Sequence, residues 1–248
     1  MKIAVLSDIH ANIRALDAVL RELGSVGPDV IVVTGDVAYG PKPMETLNRL
    51  QTIAPTPYFV MGNADREMAE LLEGKPLGET MNPRIFEVMN WCVRRFGAAE
   101  LDFLASFQST VTVEHPVLGS ILFCHGTPGS DTAIFSEITP AEKIAHHFSD
   151  NRHGLVVCGH THMQFDRMVG DTRVVNAGSV GKPNGRRGAF WLLVDETIEF
   201  RRTIYDFNAA AEETRKSGLP KADDFAEYGI LDPPPKDEVL EWLEGRVK

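Results

Sequence analysis

Apolar residues arrive in short, branched runs that stop abruptly on polar ones. Ile3-Ala4-Val5-Leu6 gives way to Ser7-Asp8-Ile9-His10, and Val30-Ile31-Val32-Val33 gives way to Thr34-Gly35-Asp36. Pro57-Tyr58-Phe59-Val60-Met61 ends in Gly62-Asn63-Ala64-Asp65. Runs of this length and branching read as buried strands. Between the first two, Ile13, Leu16, Ala18, Val19, Leu20 and Leu23 recur at helical spacing, with Gly24 as the stop signal. Met44, Leu47 and Leu50 mark a second helix after the loop 39–43. This βαβαβ rhythm predicts a parallel sheet with right-handed crossovers, so that three strand ends deliver polar residues to one rim.

From Arg66 to Phe107 the pattern is helical, with stripes at Met68, Leu71 and Leu72, at Ile85, Met89, Cys92, Val93 and Phe96, and at Leu101, Leu104 and Phe107. An insert over 66–107 is expected to form a cap or side wall, with the link 74–82 as the part to delete in testing it. Strand alternation returns at 110–114 and at 120–124, the second run ending in His125-Gly126. A helix is expected over 140–148. Leu155-Val156-Val157-Cys158 then runs into Gly159-His160-Thr161-His162. Short segments at 165–169, 173–175, 189–194 and 198–204 suit an antiparallel second sheet. Residues 206–248 change character, with helical stretches around Gly218-Leu219-Pro220 and a Pro233-Pro234-Pro235 spacer. The pattern thus divides the chain into a domain over 1–205 and a helical extension over 206–248, whose last helix (Val239, Leu240, Trp242, Leu243) is expected to pack on its own body.

Charge changes this picture in one respect. Within 248 residues, 25 basic against 35 acidic side chains leave a formal charge of −10. With no long basic run, general nucleic-acid binding and a membrane surface are disfavoured. An anionic substrate would need bound cations to offset that charge. Cys92, Cys124 and Cys158 have no metal-binding spacing, which suits buried thiols in a reducing compartment. The absence of a leader pattern and of a membrane-length apolar stretch leads to the expectation of a cytoplasmic protein. Oligomeric state is not legible.

The candidate chemistry sits where the apolar runs stop. An extended segment would send Asp8 and His10 to the same face. Taken alone, Asp8 reads equally well as a helix cap with His10 a bystander, and Asn63 as a turn residue. Collected, Asp8, His10, Asp36, Asn63, His125, His160 and His162 each lie at a strand end or in the turn after it. Imidazole with carboxylate suits Mn, Fe, Zn, Ni or Co. Seven ligands exceed one ion and suit two, provided that a carboxylate bridges. Asn12 is open to three roles: helix cap, ligand orientation or substrate contact. In the basic loop after Gly181, Arg186 and Arg187 suit bidentate phosphate recognition, against the alternative of a solvated hairpin.

The blocks Asp8-Ile9-His10, Gly35-Asp36, Gly62-Asn63-Ala64-Asp65, His125-Gly126 and Gly159-His160-Thr161-His162 resemble the calcineurin-like metallophosphoesterase superfamily, in its order, over roughly residues 1–195. The leader through Asn12 and the loop Asn176-Ala177-Gly178-Ser179-Val180-Gly181 are most similar to its small prokaryotic branch of phosphodiesterases and diadenosine-tetraphosphatase-like proteins. The resemblance implies an α/β (α+β) fold, a two-sheet β-sandwich flanked by helices with a dinuclear site at the sheet edge. It also implies a role for each residue. Asp8, His10 and His162 would hold one ion, Asn63, His125 and His160 the other, and Asp36 would bridge them around a nucleophilic hydroxide. Asp65 would orient a ligand or water, so that Asp36, Asn63, Asp65 and His125 form the catalytic set. Two divalent ions, manganese favoured, would then hydrolyse a small phosphoester or phosphoanhydride substrate. The alternative is a protein-binding scaffold without hydrolysis, like the family's retromer-associated member, but every ligand position here carries a competent ligand. Ala64 departs from the many members that carry histidine there.

Overall fold

The computed structural model describes residues 1–75 and 82–247. Strand β1 (Ile3–Leu6) is buried along its whole length and divides its side chains between two cores. Ile3 and Val5 point between the sheets, while Ala4 and Leu6 point toward the helices. That two-sided burial explains why the run is apolar throughout instead of alternating. β1 pairs in parallel with β2 (Val30–Val33), which pairs in parallel with β3 (Tyr58–Phe59). Helix α1 (Ile13–Val26) makes the first crossover and α2 (Pro43–Gln51) the second. The stop of α1 falls three residues beyond the expected Gly24. Gly27 takes the left-handed φ of 61° and returns its N–H to the Leu23 carbonyl, which closes the helix.

Residues 63–105 form α3 (Asn63–Leu72), α4 (Pro83–Val93) and α5 (Ala98–Ala105). Their buried positions, among them Met68, Met89, Cys92 and Leu104, join the core on the helix-covered face of the first sheet. Most of the 74–82 link, residues 76–81, lies outside the described residues. The second sheet begins with the hairpin β4 (Val111–His115) and β5 (Gly119–Phe123). The region expected as one helix over 140–148 is a short α6 (Ala141–Ile144) followed by a 3₁₀ turn. β6 (Leu155–Cys158), β7 (Gln164–Val169) and β8 (Thr172–Ala177) complete this sheet in the order β4-β5-β6-β8-β7.

The expectation of an antiparallel second sheet needs two corrections. β8 runs parallel to β6, not antiparallel. The last hairpin, β9 (Ala189–Val194) and β10 (Ile198–Thr203), joins the first sheet instead, giving the order β10-β9-β1-β2-β3. All six residues of β9 are buried, a pattern that demands a central position with cover on both faces, and β1 offers it antiparallel from Ile3↔Val194 to Val5↔Leu192. The sandwich core therefore packs Ile3, Val5, Val32, Leu192 and Val194 against Ile121, Phe123, Val157 and Val175. The fold is two mixed five-stranded sheets with helices outside.

Residues 207–244 carry α7 (Phe207–Lys216), α8 (Ala222–Ala226), a π-helical turn and α9 (Lys236–Glu244). Val239, Leu240 and Leu243 of α9 pack on Met163, with Ile134 against them, so this helix does lie on the body. No described helix is long and apolar enough to cross a membrane.

Candidate metal centre

Each proposed ligand follows a strand by a few residues. Asp8 and His10 come after β1, Asp36 after β2, Asn63 after β3, His125 after β5, and His160 and His162 after β6. Because β1, β2 and β3 are mutually parallel and β5 and β6 likewise, these ends lie along shared rims. The two sheets are tied together there by the His160 N–H, which donates to Asp8 Oδ2 at 2.9 Å, while the Gly159 N–H joins the neighbouring ends of β6 and β5 by donating to the His125 carbonyl at 2.8 Å.

The convergence does not come from strand alternation. β1 ends at Leu6, and beyond it Asp8 and His10 sit at φ 52° and 48°. Asp36, His160 and His162 are also left-handed, at 54°, 69° and 60°. Seven described residues other than glycine have positive φ, and these ligands are five of them. Such conformations cost energy for a side chain with a Cβ and concentrate where function over-determines the backbone. Nothing in the sequence marks them.

The side chains form two groups that share one carboxylate. His10 Nε2 and His162 Nε2 face each other at 3.0 Å, with Asp8 Oδ1 at 3.8 Å from the first and 3.0 Å from the second. His125 Nε2 lies 3.2 Å from both Asn63 Oδ1 and His160 Nδ1. Asp36 reaches both groups, with Oδ2 3.8 Å from His10 Nε2 and Oδ1 3.5 Å from His125 Nε2. The far ring nitrogens fix the tautomers. His10 Nδ1 lies 3.1 Å from the Tyr39 carbonyl, His125 Nδ1 2.7 Å from that of Thr34, and His162 Nδ1 2.6 Å from that of Lys182. A carbonyl can only accept, so those nitrogens carry the protons and the Nε2 lone pairs point inward.

Lone pairs therefore face lone pairs. Asp8 Oδ1 is buried without a hydrogen-bond partner. An orphaned carboxylate oxygen amid unprotonated imidazole nitrogens is costly unless a cation sits among them. Two carboxylates, four imidazoles and an amide oxygen fit divalent transition metals, and the spacing of Asp8, His10 and His162 and of Asp8, Asp36 and His125 is close enough to hold them.

The surrounding charges agree. Burial, then the neighbouring Asp8, pushes the Asp36 carboxyl up to about 8. Burial, then Asp36, pushes Asp65 up to about 7. Burial with His162 nearby drives His10 well below its ordinary value, and burial with His125 takes His160 down to about 3. Metal-free, the centre disfavours every one of these charges.

The other expected site residues are distributed differently. Asp65 is buried and braces the loop. Its Oδ2 accepts from the Asp36 N–H at 2.7 Å and its Oδ1 from the Val37 N–H at 3.0 Å. Of the three roles open to Asn12, the structure shows the cap: its side chain accepts from the Ala15 N–H at the start of α1 and donates to the Gly181 carbonyl and Tyr205 hydroxyl. Arg186 and Arg187 are exposed, with guanidinium groups over the Phe190 and Phe207 rings, and neither lines the cavity beside the centre. Each guanidinium thereby meets a ring face.

That cavity, of about 480 Å³, has Asp36, Asn63, His160 and His162 on one side. Lys182 and Asn184 border it, from the same loop as the two arginines. Burial lowers the Lys182 ammonium from its ordinary range, while Asp36 and Asp8 pull it the other way. α9 contributes Val239, Trp242 and Leu243 to the lining of the same cavity. The sequence pattern marked those apolar positions on α9 but gave no sign that they face the centre; the only hint was an amphipathic helix following a proline spacer.

A two-sheet sandwich whose rim gathers buried carboxylates and imidazoles defines a protein with a cluster of metal-ligating side chains at the sheet edge. The chain belongs to the calcineurin-like phosphoesterase superfamily, whose domain matches residues 1–197. It is similar to protein MJ0912 of Methanocaldococcus jannaschii, at 28% identity over 240 residues covering 88% of this chain and 94% of that one. The phosphodiesterase YfcE of Escherichia coli is 24% identical over 208 residues, covering 80% and 89%. The crystal structure of a metallophosphoesterase from Sphaerobacter thermophilus superposes with a TM-score of 0.73 at 25% identity, covering 93% of this chain and 99% of that one.

Proposed function

We propose that this chain is a metal-dependent phosphoesterase that cleaves phosphodiester or phosphoanhydride bonds of small substrates, as its similarity to a phosphodiesterase suggests. The observation that carries the reading is Asp36, which offers one carboxylate oxygen to each of two inward-facing ligand groups. Asp8, His10 and His162 would hold one cation, and Asn63, His125 and His160 the other. Such a pair, when bound, supplies a hydroxide at neutral pH and offsets charge on the phosphoryl oxygens. Manganese is favoured as the metal.

The chain's own residues then have defined tasks. Asp65 fixes the Asp36 loop through two backbone N–H groups. Lys182 brings a positive charge to the cavity of an otherwise acidic protein and meets the phosphoryl group. At position 64 the backbone N–H donates to Asp36 Oδ1 at 2.9 Å, and the buried methyl side chain has no proton to give. Substrates with weakly basic leaving groups, such as aryl esters and phosphoanhydrides, are therefore preferred over alkyl monoesters.

The test is a substrate panel on chelated protein with manganese added back, covering aryl mono- and diesters, dinucleoside polyphosphates and cyclic nucleotides. Turnover should require the metal. Asp36→Asn should bind fewer than two ions and lose several orders of magnitude in rate, because a neutral amide bridges cations poorly. Two bound ions and near-normal turnover in that variant would refute the assignment.

A further inference from the structure

The wall facing the centre comes from outside the matched domain. That domain ends at residue 197, whereas Val239, Trp242 and Leu243 belong to α9, held to the body by the buried contacts of Val239, Leu240 and Leu243 around Met163. A phosphoryl group needs none of this apolar surface. The cavity of about 480 Å³ falls within the range that holds a whole small organic ligand.

Trp242 is the distinctive element. It is 52% exposed although it lines the cavity, on a helix whose neighbouring apolar residues are buried. The Arg246 guanidinium lies over the indole, 3.8 Å from the ring centroid, and about half of the residue's surface remains open. A large aromatic surface held in place and left open in this way suits a flat partner. The charged side chain that α9 adds to the cavity is Glu238, an anion. A second phosphate would be repelled there, while an uncharged ring would not.

Resting on the reading above, we propose that α9 forms the subsite for an uncharged aromatic ring carried by the phosphoester, with Trp242 as its specificity-determining residue. The phosphoryl group lies at the acid–imidazole side next to Lys182, and the ring reaches across the cavity to the indole. The extension thereby selects aryl or nucleoside phosphoesters over small alkyl ones.

The test measures binding, independent of turnover, by titration calorimetry on manganese-loaded protein with phenylphosphonate and methylphosphonate. The two ligands share the phosphoryl group and differ in the ring. The wild type should bind phenylphosphonate about ten-fold tighter. Trp242→Ala should bring the two within about two-fold while leaving the methylphosphonate Kd unchanged, and Trp242→Phe should keep most of the preference. Equal binding of both ligands to the wild type, or a preference that survives Trp242→Ala, overturns this inference and leaves the phosphoesterase reading intact. Binding of neither ligand overturns both, because no phosphoryl group is then held at the centre.

Discussion

Lys182 and its neighbours in the loop after Gly181 illustrate how one residue's surroundings decide its task. Four polar residues, Lys182, Asn184, Arg186 and Arg187, follow one another within six positions, and the sequence favours the arginines for phosphate by their geometry alone. In the fold the loop turns so that Lys182 and Asn184 border the cavity, and each arginine lies over an aromatic ring. A hydrogen bond to a charged group is worth about 1.5–3 kcal/mol. Lys182→Ala should accordingly raise KM by about 10–100-fold across the substrate panel, while Arg186→Ala and Arg187→Ala leave it within about two-fold. A KM that follows the arginines and ignores Lys182 would restore the first reading. The ligands were more legible than this loop, because Asp, Asn and His directly after apolar runs leave few alternatives when seven do so together. The left-handed backbones of five of them were not legible, since those angles go with contacts between loops that are remote in sequence.

Among the elements, the loops after β2 and β3 show how tightly the centre is assembled. A Cβ on Gly62 would stand 2.3 Å from both the backbone nitrogen and Oδ1 of Asp36, and one on Gly35 would meet Gly62 at 2.6 Å. The two loops touch through their glycines, so Asp36 reaches both ligand groups only because neither carries a side chain there. Gly62→Ala should displace Asp36, reduce bound metal below two ions and lower activity by at least about 100-fold, by analogy with misplacing a reacting group by an ångström. Gly24→Ala is the control. That glycine lies inside α1 with open space around it, so the variant should gain roughly 0.5–1 kcal/mol in stability with unchanged metal content. Metal counting beside thermal denaturation separates the two outcomes. The strands were largely readable from their apolar runs. The sheet to which the last hairpin belongs was not, because a fully buried run states that both faces are covered without naming the neighbour.

Over the whole molecule, the buried charges make stability depend on pH and metal together. Asp36 and Asp65 have folded values of about 8 and about 7 against an ordinary 3.8. Between those limits the metal-free fold binds more protons than the unfolded chain, so its stability falls as pH rises. His10 and His160 act oppositely: their folded values lie below the ordinary 6.5, so they remove stability as pH drops below that point. As pH rises above 6.5 the histidine contribution fades, and the carboxyls outweigh it and the opposing, lowered Lys182. In chelator, the unfolding free energy should therefore decline from pH 6.5 to 8 by at most about 1.4 kcal/mol per pH unit for each carboxyl, and Tm should fall with it. With manganese in excess the decline should vanish or reverse, because cations bind the deprotonated ligands. Parallel melting curves with and without metal check this, and a rise of Tm with pH in chelator would contradict it.

The pairing of β1 with β9 carries a consequence for how this protein is made. The chain emerges from the ribosome amino end first, so Ile3 must wait for Val194, its partner across the sheet, through most of synthesis. By then every proposed ligand, from Asp8 to His162, has already been translated. Four of them, Asp8, His10, Asp36 and Asn63, follow strands of a first sheet that still lacks β9 during that interval. The centre's spacing is set late, by a strand that contributes none of its ligands.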